Sequence, residues 1–177
     1  LYPSDANQTA KLVELMAERP GISYLRTTRE ATAIIYPPDA EVRIGGSAVV
    51  RRSDADRAAI VAAGITLHEA LKAHDQLKGQ GIAVRVIDAY SVKPIDAATL
   101  AEAVQQCGGR LVVAEDHWAE GGLGDAVLEA VTGKGLDPKV TRLAVRDMPT
   151  SGTAEELMGA AGIDAAHIVA AVRKLVG

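Results

Sequence analysis

From Arg57 to the carboxyl terminus, short apolar runs alternate with helical stripes, and few folds can accommodate that alternation. Ala58–Ala63 reads as a buried strand ending at Gly64, Ile82–Ile87 as a strand rich in β-branched residues, Leu111–Ala114 as a third buried strand and Val140–Val145 as a fourth. Such runs are too short for helices and too continuously apolar for strands with one wet face. Between them lie helical stripes: Leu67, Ala70, Leu71 and His74; then Leu100, Ala103, Val104 and Cys107, opened by Pro94-Ile95-Asp96 and stopped by Gly108; then Asp125–Val131. Thr66 with Glu69 and Thr153 with Glu156 have the spacing of capping boxes, and Asp164 caps a last helix carrying Ile168, Ala171, Val172 and Leu175. Strands alternating with amphipathic helices predict an α/β fold, three-layer and doubly wound around a mainly parallel sheet.

The first part of the chain is less regular. Asp5 with Gln8 predicts a helix start, Leu12, Leu15, Met16 and Arg19 share a face, and Pro20-Gly21 ends the helix. Ile22–Thr27 is expected to be a strand. Pro37-Pro38-Asp39 and the Gly45-Gly46 pair then break periodic structure, which places a domain boundary between about residues 36 and 44. The opening Leu1-Tyr2-Pro3 has the look of a strand end entering a helix cap, so the chain is expected to be a piece of a longer protein.

Charge and composition exclude several functions. The formal charge of −4 leaves no excess of Lys and Arg to neutralise phosphates, against a nucleic-acid or anionic-membrane partner. Arg51-Arg52 is followed by Asp54 and Asp56 and reads as a solvated turn. No apolar run is long enough to span a bilayer. The single Cys107 excludes an intrachain disulfide, fits a reducing cytoplasm and reads as a small core residue. His68 and His74 are six apart on one predicted helix, wrong for a shared metal, and His167 has no ligand partner nearby, so no metal site is assigned.

Two segments could carry chemistry. Arg26-Thr27-Thr28-Arg29 ends the early strand, and two guanidiniums there could clamp a phosphate or carboxylate. Strand alternation allows only one of them to face a site. Glu115-Asp116-His117-Trp118, followed by Ala119-Glu120-Gly121-Gly122-Leu123-Gly124, lies between a buried strand and a helix, where open α/β sheets bind ligands. Its glycines would let amides approach an anion, and Asp116 with His117 could do acid–base work. Its acidic residues oppose phosphate, and a tight turn or a subunit contact around Trp118 is the plainer reading.

Several of these segments, in this order, resemble transketolase. Tyr2-Pro3-Ser4-Asp5, Arg26-Thr27-Thr28-Arg29 and Ala33-Ile34-Ile35-Tyr36 look like the end of its pyrimidine-binding domain in the animal-like branch. Gly64-Ile65-Thr66-Leu67-His68-Glu69-Ala70, Lys93-Pro94-Ile95-Asp96, Glu115-Asp116-His117 with Glu120-Gly121-Gly122, Ser151-Gly152 with Glu156-Leu157, and Gly162-Ile163-Asp164 look like its carboxyl-terminal domain. The resemblance implies residues 1–36 as the end of the first domain, 37–56 as linker and first strands, and 57–177 as the carboxyl-terminal domain. It further implies a homodimeric, cytoplasmic transferase that moves a two-carbon ketol unit between sugar phosphates, using thiamine diphosphate and Mg²⁺ or Ca²⁺. The family's metal-binding Gly-Asp-Gly motif, activating glutamate and substrate-contacting histidines have no counterpart here. No cofactor is therefore expected on this chain, no catalytic residue is assigned, and the chain alone is expected to be inactive. The one role carried over is substrate-phosphate contact by Arg29, although Glu30-Ala31 stands where the animal-like pattern has Pro-Glu. The carboxyl-terminal domain is expected to serve assembly and to offer a regulatory site. The competing readings are a stand-alone flavodoxin-like binding module, or the end of a deoxyxylulose-phosphate synthase or 2-oxoacid dehydrogenase.

Overall fold

The computed structural model describes all residues from Leu1 to Gly177. Helix α1 (Ala6–Ala17) comes first, and no further helix or strand occurs before β1 (Ala48–Arg51). Then follow β2 (Ala59–Ala62), α2 (Ile65–Gly79), β3 (Arg85–Asp88), α3 (Ala97–Gln106), β4 (Arg110–Trp118), α4 (Leu123–Thr132), β5 (Lys139–Val145), α5 (Ala154–Ala160) and α6 (Ala165–Val176). The sheet order is β1-β3-β2-β4-β5, and only the edge strand β1 runs antiparallel to its neighbour. This is the mainly parallel α/β architecture that the alternation predicts.

The two-residue period of the strands sorts the core into layers. Ile60, Ala62, Val86, Val112 and Ala114 join Leu67, Leu77, Ile168 and Val172 from α2 and α6. Ala59, Val61, Ile87, Leu111 and Val113 join Leu100, Val104, Val127 and Val131 from α3 and α4. With 17 buried residues on one face and 15 on the other, the central strands β2 and β3 are covered on both faces, whereas the edge strands β1 and β5 are only partly buried. Cys107 is fully buried in the second layer, as a small core residue should be.

Three local readings change. The Thr66–Glu69 capping box does not form: α2 starts earlier, from Gly64 at φ +58°, a left-handed conformation that favours glycine. The Thr66 hydroxyl turns instead to the carbonyls of Ala63 and Ala114, at 2.9 and 2.8 Å. Glu69 accepts from the Ala165 amide at 2.9 Å, so it caps α6 rather than its own helix. At α1, the Asp5 carboxylate accepts from the Gln8 amide at 2.8 Å, but the Gln8 side chain accepts from Ser4 rather than from Asp5. Ile22–Thr27 is not a sheet strand: its backbone pairing is limited to the Leu1–Tyr24 and Arg26–Leu1 hydrogen bonds. The boxes at Thr153 and Glu156, and the caps at Asp96 and Asp164, form as their sequences predict.

A buried polar cluster fastens the early segment to the sheet. Asp88, fully buried at the end of β3, accepts from Ser4 Oγ at 3.1 Å, Gln8 Nε2 at 2.8 Å and Tyr36 Oη at 2.7 Å. Asp5 takes the amides of Ile35 and Tyr36, each at 2.7 Å, and so closes the loop after α1 over the helix start. Burial raises the Asp88 pKa to about 6 despite its three donors, and the Asp5 charge adds to the rise. A carboxyl raised in the folded state binds protons there before it does in the unfolded chain. Its contribution is therefore most favourable near pH 4 and declines as pH rises to about 6. Urea denaturation of wild type and Asp88→Asn should accordingly diverge between pH 7 and pH 4, with the wild type gaining on the variant as pH falls. A constant difference across that range would remove the titration from Asp88.

Candidate functional site

A cleft of about 660 Å³ opens between the early segment and the carboxyl ends of the strands. Tyr2, Tyr24, Arg26, Lys93, Asp116 and His117 are among the residues around it. The β4–β5 register shifts between Ala114 and Trp118, which frees Glu115, Asp116 and His117 from a regular ladder and aims them separately.

Asp116 belongs to a clamp rather than to an acid–base pair. Its Oδ2 accepts from Tyr2 Oη at 2.9 Å and from Arg26 at 2.7 Å, and the Arg26 guanidinium sits 4.6 Å from the centre of the Tyr2 ring. Burial and the neighbouring Asp116 charge push the Tyr2 phenol well above its ordinary value, so it stays a donor to that carboxylate. His117 is exposed, and its Nδ1 lies 2.8 Å from the carbonyl of Trp118. The Asp116–His117 pair is therefore not brought together.

Glu115 is 3% exposed and occupies the start of α4. Its Oε1 accepts from the Gly124 amide at 3.1 Å and lies 3.7 Å from Arg142 Nη2. Burial raises its pKa, while the helix-end amides of Gly124 and Leu123 and the Arg142 charge pull the other way. Asp125 takes the Gly121 amide at 2.6 Å and Arg142 Nη1 at 2.7 Å. The glycines therefore serve close packing: a Cβ on Gly122 would collide with the Glu115 carboxylate, and one on Gly124 with the Arg142 guanidinium.

This arrangement is unsuited to a diphosphate. The amides that could cradle an anion are already held by Glu115 and Asp125, and no group of three or more His, Cys, Asp or Glu side chains converges on a metal position. Thiamine diphosphate and its divalent ion do not fit the residues present.

Of the two guanidiniums singled out in the sequence, Arg26 is spent on Asp116, whereas Arg29 is exposed and has no hydrogen-bond or ion-pair partner in the chain. A polar pocket lined by Ser4, Asp5, Thr9, Thr27, Thr28 and Glu30 lies beside it in sequence. Sequence reasoning missed Asp88 and the Tyr2–Asp116 contact. The only available signal was an acid closing the short strand Arg85–Asp88. No helix is long and apolar enough to cross a membrane.

Replacing Gly122 with Ala should destabilise the protein by about 1–3 kcal/mol, the usual range for a group forced into filled space. Chemical denaturation measures this directly, and an unchanged midpoint would mean that Glu115 can move aside without loss.

Comparison with known proteins agrees with the fold and the ordered motifs. Residues 46–168 match the family model described as "Transketolase, C-terminal domain". The chain is 44% identical over 175 residues to transketolase-like protein 2 of Mus musculus, covering 99% of this chain and 28% of the relative. It is 43% identical over 175 residues to transketolase of Mus musculus, with the same two coverages. The chain thus spans little more than a quarter of the curated relatives it matches. Among solved structures, a split-gene transketolase described as an inactive β4 tetramer superposes with a TM-score of 0.91 at 36% identity, over 98% of this chain and 56% of that one. Transketolase of Campylobacter jejuni subsp. jejuni shares the fold, with a TM-score of 0.75 at 12% identity over 98% of this chain and 25% of that one. The chain belongs to the transketolase family, and its matched region is the C-terminal domain of that family.

Proposed function

We propose that this chain is the carboxyl-terminal part of a thiamine-dependent transketolase that moves a two-carbon ketol unit between ketose and aldose phosphates. The observation that carries the reading is 43% identity to a transketolase along 99% of the chain, against only 28% of that relative's length. In this reading residues 1–36 close the pyrimidine-binding domain, 37–56 connect, and 57–177 form the carboxyl-terminal domain. Thiamine diphosphate and Mg²⁺ or Ca²⁺ are assigned to the rest of the enzyme, since the residues here do not fit them. The carboxyl-terminal domain contributes to assembly as a homodimer in the cytoplasm. Trp118, 41% exposed at the end of β4, is a candidate contact between subunits.

Arg29 is the proposed contact to the substrate phosphate. Its side chain is exposed and unpaired, while Arg26, three residues earlier, is committed to Asp116, so one guanidinium fixes the segment and the other is left to bind. The segment around Arg29 is tied down on both sides, by Arg26 at Asp116 and by Tyr36 at Asp88. That anchoring lowers the entropy lost when a phosphate is gripped.

Supplied with thiamine diphosphate, Mg²⁺, xylulose 5-phosphate and an aldose phosphate, the purified chain should transfer no ketol unit, and co-expression with the remaining domains should restore transfer. Turnover by the chain alone would overturn this division of labour. In the assembled enzyme, Arg29→Ala should raise KM for phosphorylated substrates by the equivalent of about 1.5–3 kcal/mol, one charge-assisted contact. Unphosphorylated substrates should be affected much less, and an equal loss for both would remove the phosphate role.

A further inference from the structure

The carboxyl-terminal domain reaches the motif that ends at Arg29 through one residue. The β4–β5 register slips between Ala114 and Trp118, and Asp116, released from the ladder, turns to the early segment. Arg26 grips it twice: Nη2 donates to the carboxylate at 2.7 Å and Nη1 donates to the Asp116 backbone carbonyl at 3.2 Å. A planar guanidinium held at two points keeps one orientation, which a lysine ammonium would not.

The Tyr2 ring lies against that guanidinium, with its centre 4.6 Å from Arg26 Cζ. The ring rests on Gly64, where an added Cβ would collide with it. Its hydroxyl receives the Ile65 amide at 3.4 Å and donates to Asp116 at 2.9 Å. With side chains 38% and 18% exposed, Arg26 and Asp116 would count for little as an isolated ion pair. The backbone carbonyl, the ring and the Tyr2 hydroxyl make the pair part of a network, which holds a geometry that a single surface pair does not.

Downstream of Arg26 the chain has little else to hold it. Residues 27–34 make no backbone–backbone hydrogen bond, and the one local contact is Thr28 Oγ1 to the Glu30 carbonyl at 3.2 Å. The next fixed point is Ile35, whose amide is bound by Asp5 at 2.7 Å. Arg29 stands three residues after Arg26 and six before Ile35, so the Asp116 network is its nearer anchor.

We propose that Asp116 is a positioning residue for the substrate phosphate: by holding Arg26 against Tyr2, it fixes the course of the backbone that carries Arg29. The proposal rests on the functional reading above, and gives the carboxyl-terminal domain a part in substrate binding without touching substrate. Asp116 also occupies the Arg26 guanidinium, which leaves one free guanidinium in the motif instead of two.

The test is a double-mutant cycle in the assembled enzyme, with KM measured for a phosphorylated and an unphosphorylated aldose. Asp116→Ala should raise KM for the phosphorylated substrate roughly tenfold, as for residues coupled through one network, and change the other by less than about twofold. In an Arg29→Ala background the same substitution should change neither, because no side chain remains to be positioned. Asp116→Asn keeps an acceptor of the same shape and should fall between wild type and Asp116→Ala; it carries the test if Asp116→Ala does not assemble. Equal increases for both substrates would mark a general structural role and overturn the proposal. So would a further increase on top of Arg29→Ala, or a lowered KM for the phosphorylated substrate, which would show that the released Arg26 binds phosphate itself. A selective effect of Arg29→Ala beside a silent Asp116→Ala removes the positioning role alone. Assembled wild type that transfers no ketol unit removes the functional reading and this role with it.

Discussion

A single buried carboxylate holds the two parts of this chain in register. Asp88 ends a strand whose every residue is buried, and its three donors, Ser4, Gln8 and Tyr36, all come from the first 36 residues. A buried carboxylate without such donors would be strongly disfavoured, and donors without an acceptor would be equally so. The cluster therefore works as a unit: the early segment supplies hydrogen bonds to the fully buried Asp88, and that acid fixes α1 and the loop to Tyr36. Asp5 extends the arrangement by joining both ends of that loop. The order of residues 1–36 is thus set mainly by polar satisfaction, since Leu12 is the one apolar residue of α1 that is fully buried.

The same logic operates at the carboxyl end of β4, with a different result. Parallel sheets gather helix N-termini at one edge, and those amides attract negative charge from wherever it is available. Here the chain supplies it, through Glu115 at α4 and Glu69 at α6. An edge that elsewhere binds anionic ligands is closed by internal carboxylates, and glycine at positions 122 and 124 is what allows the approach.

The layered core was readable in the sequence because it depends on local pattern alone. A short strand-forming run between helical stripes can be placed from its own residues, and Ala58–Ala63 and Val140–Val145 fell within a residue of their observed strands. The helix caps at Asp96, Thr153 and Asp164 were equally legible, since a cap concerns only neighbouring residues. Thr66 and Glu69 were misread because their spacing fits a box while their partners lie elsewhere, in β4 and at the start of α6. Asp88 was invisible for the same reason: its donors are 84, 80 and 52 residues away in sequence. Alternation alone could not say which of Arg26 and Arg29 is held within the chain, because the partner of Arg26 is Asp116, 90 residues on.

The extended segment from Ile22 to Thr27 joins these strands of reasoning. Its sequence has the β-branched and polar composition of a strand, yet it belongs to no sheet. Strand character is a property of a pair rather than of a run: the residues can specify extension, but only a neighbour can satisfy the outward amides. The segment is held in place by contacts at its Leu1 side and by Arg26 on Asp116. Arg29 stands two residues beyond it.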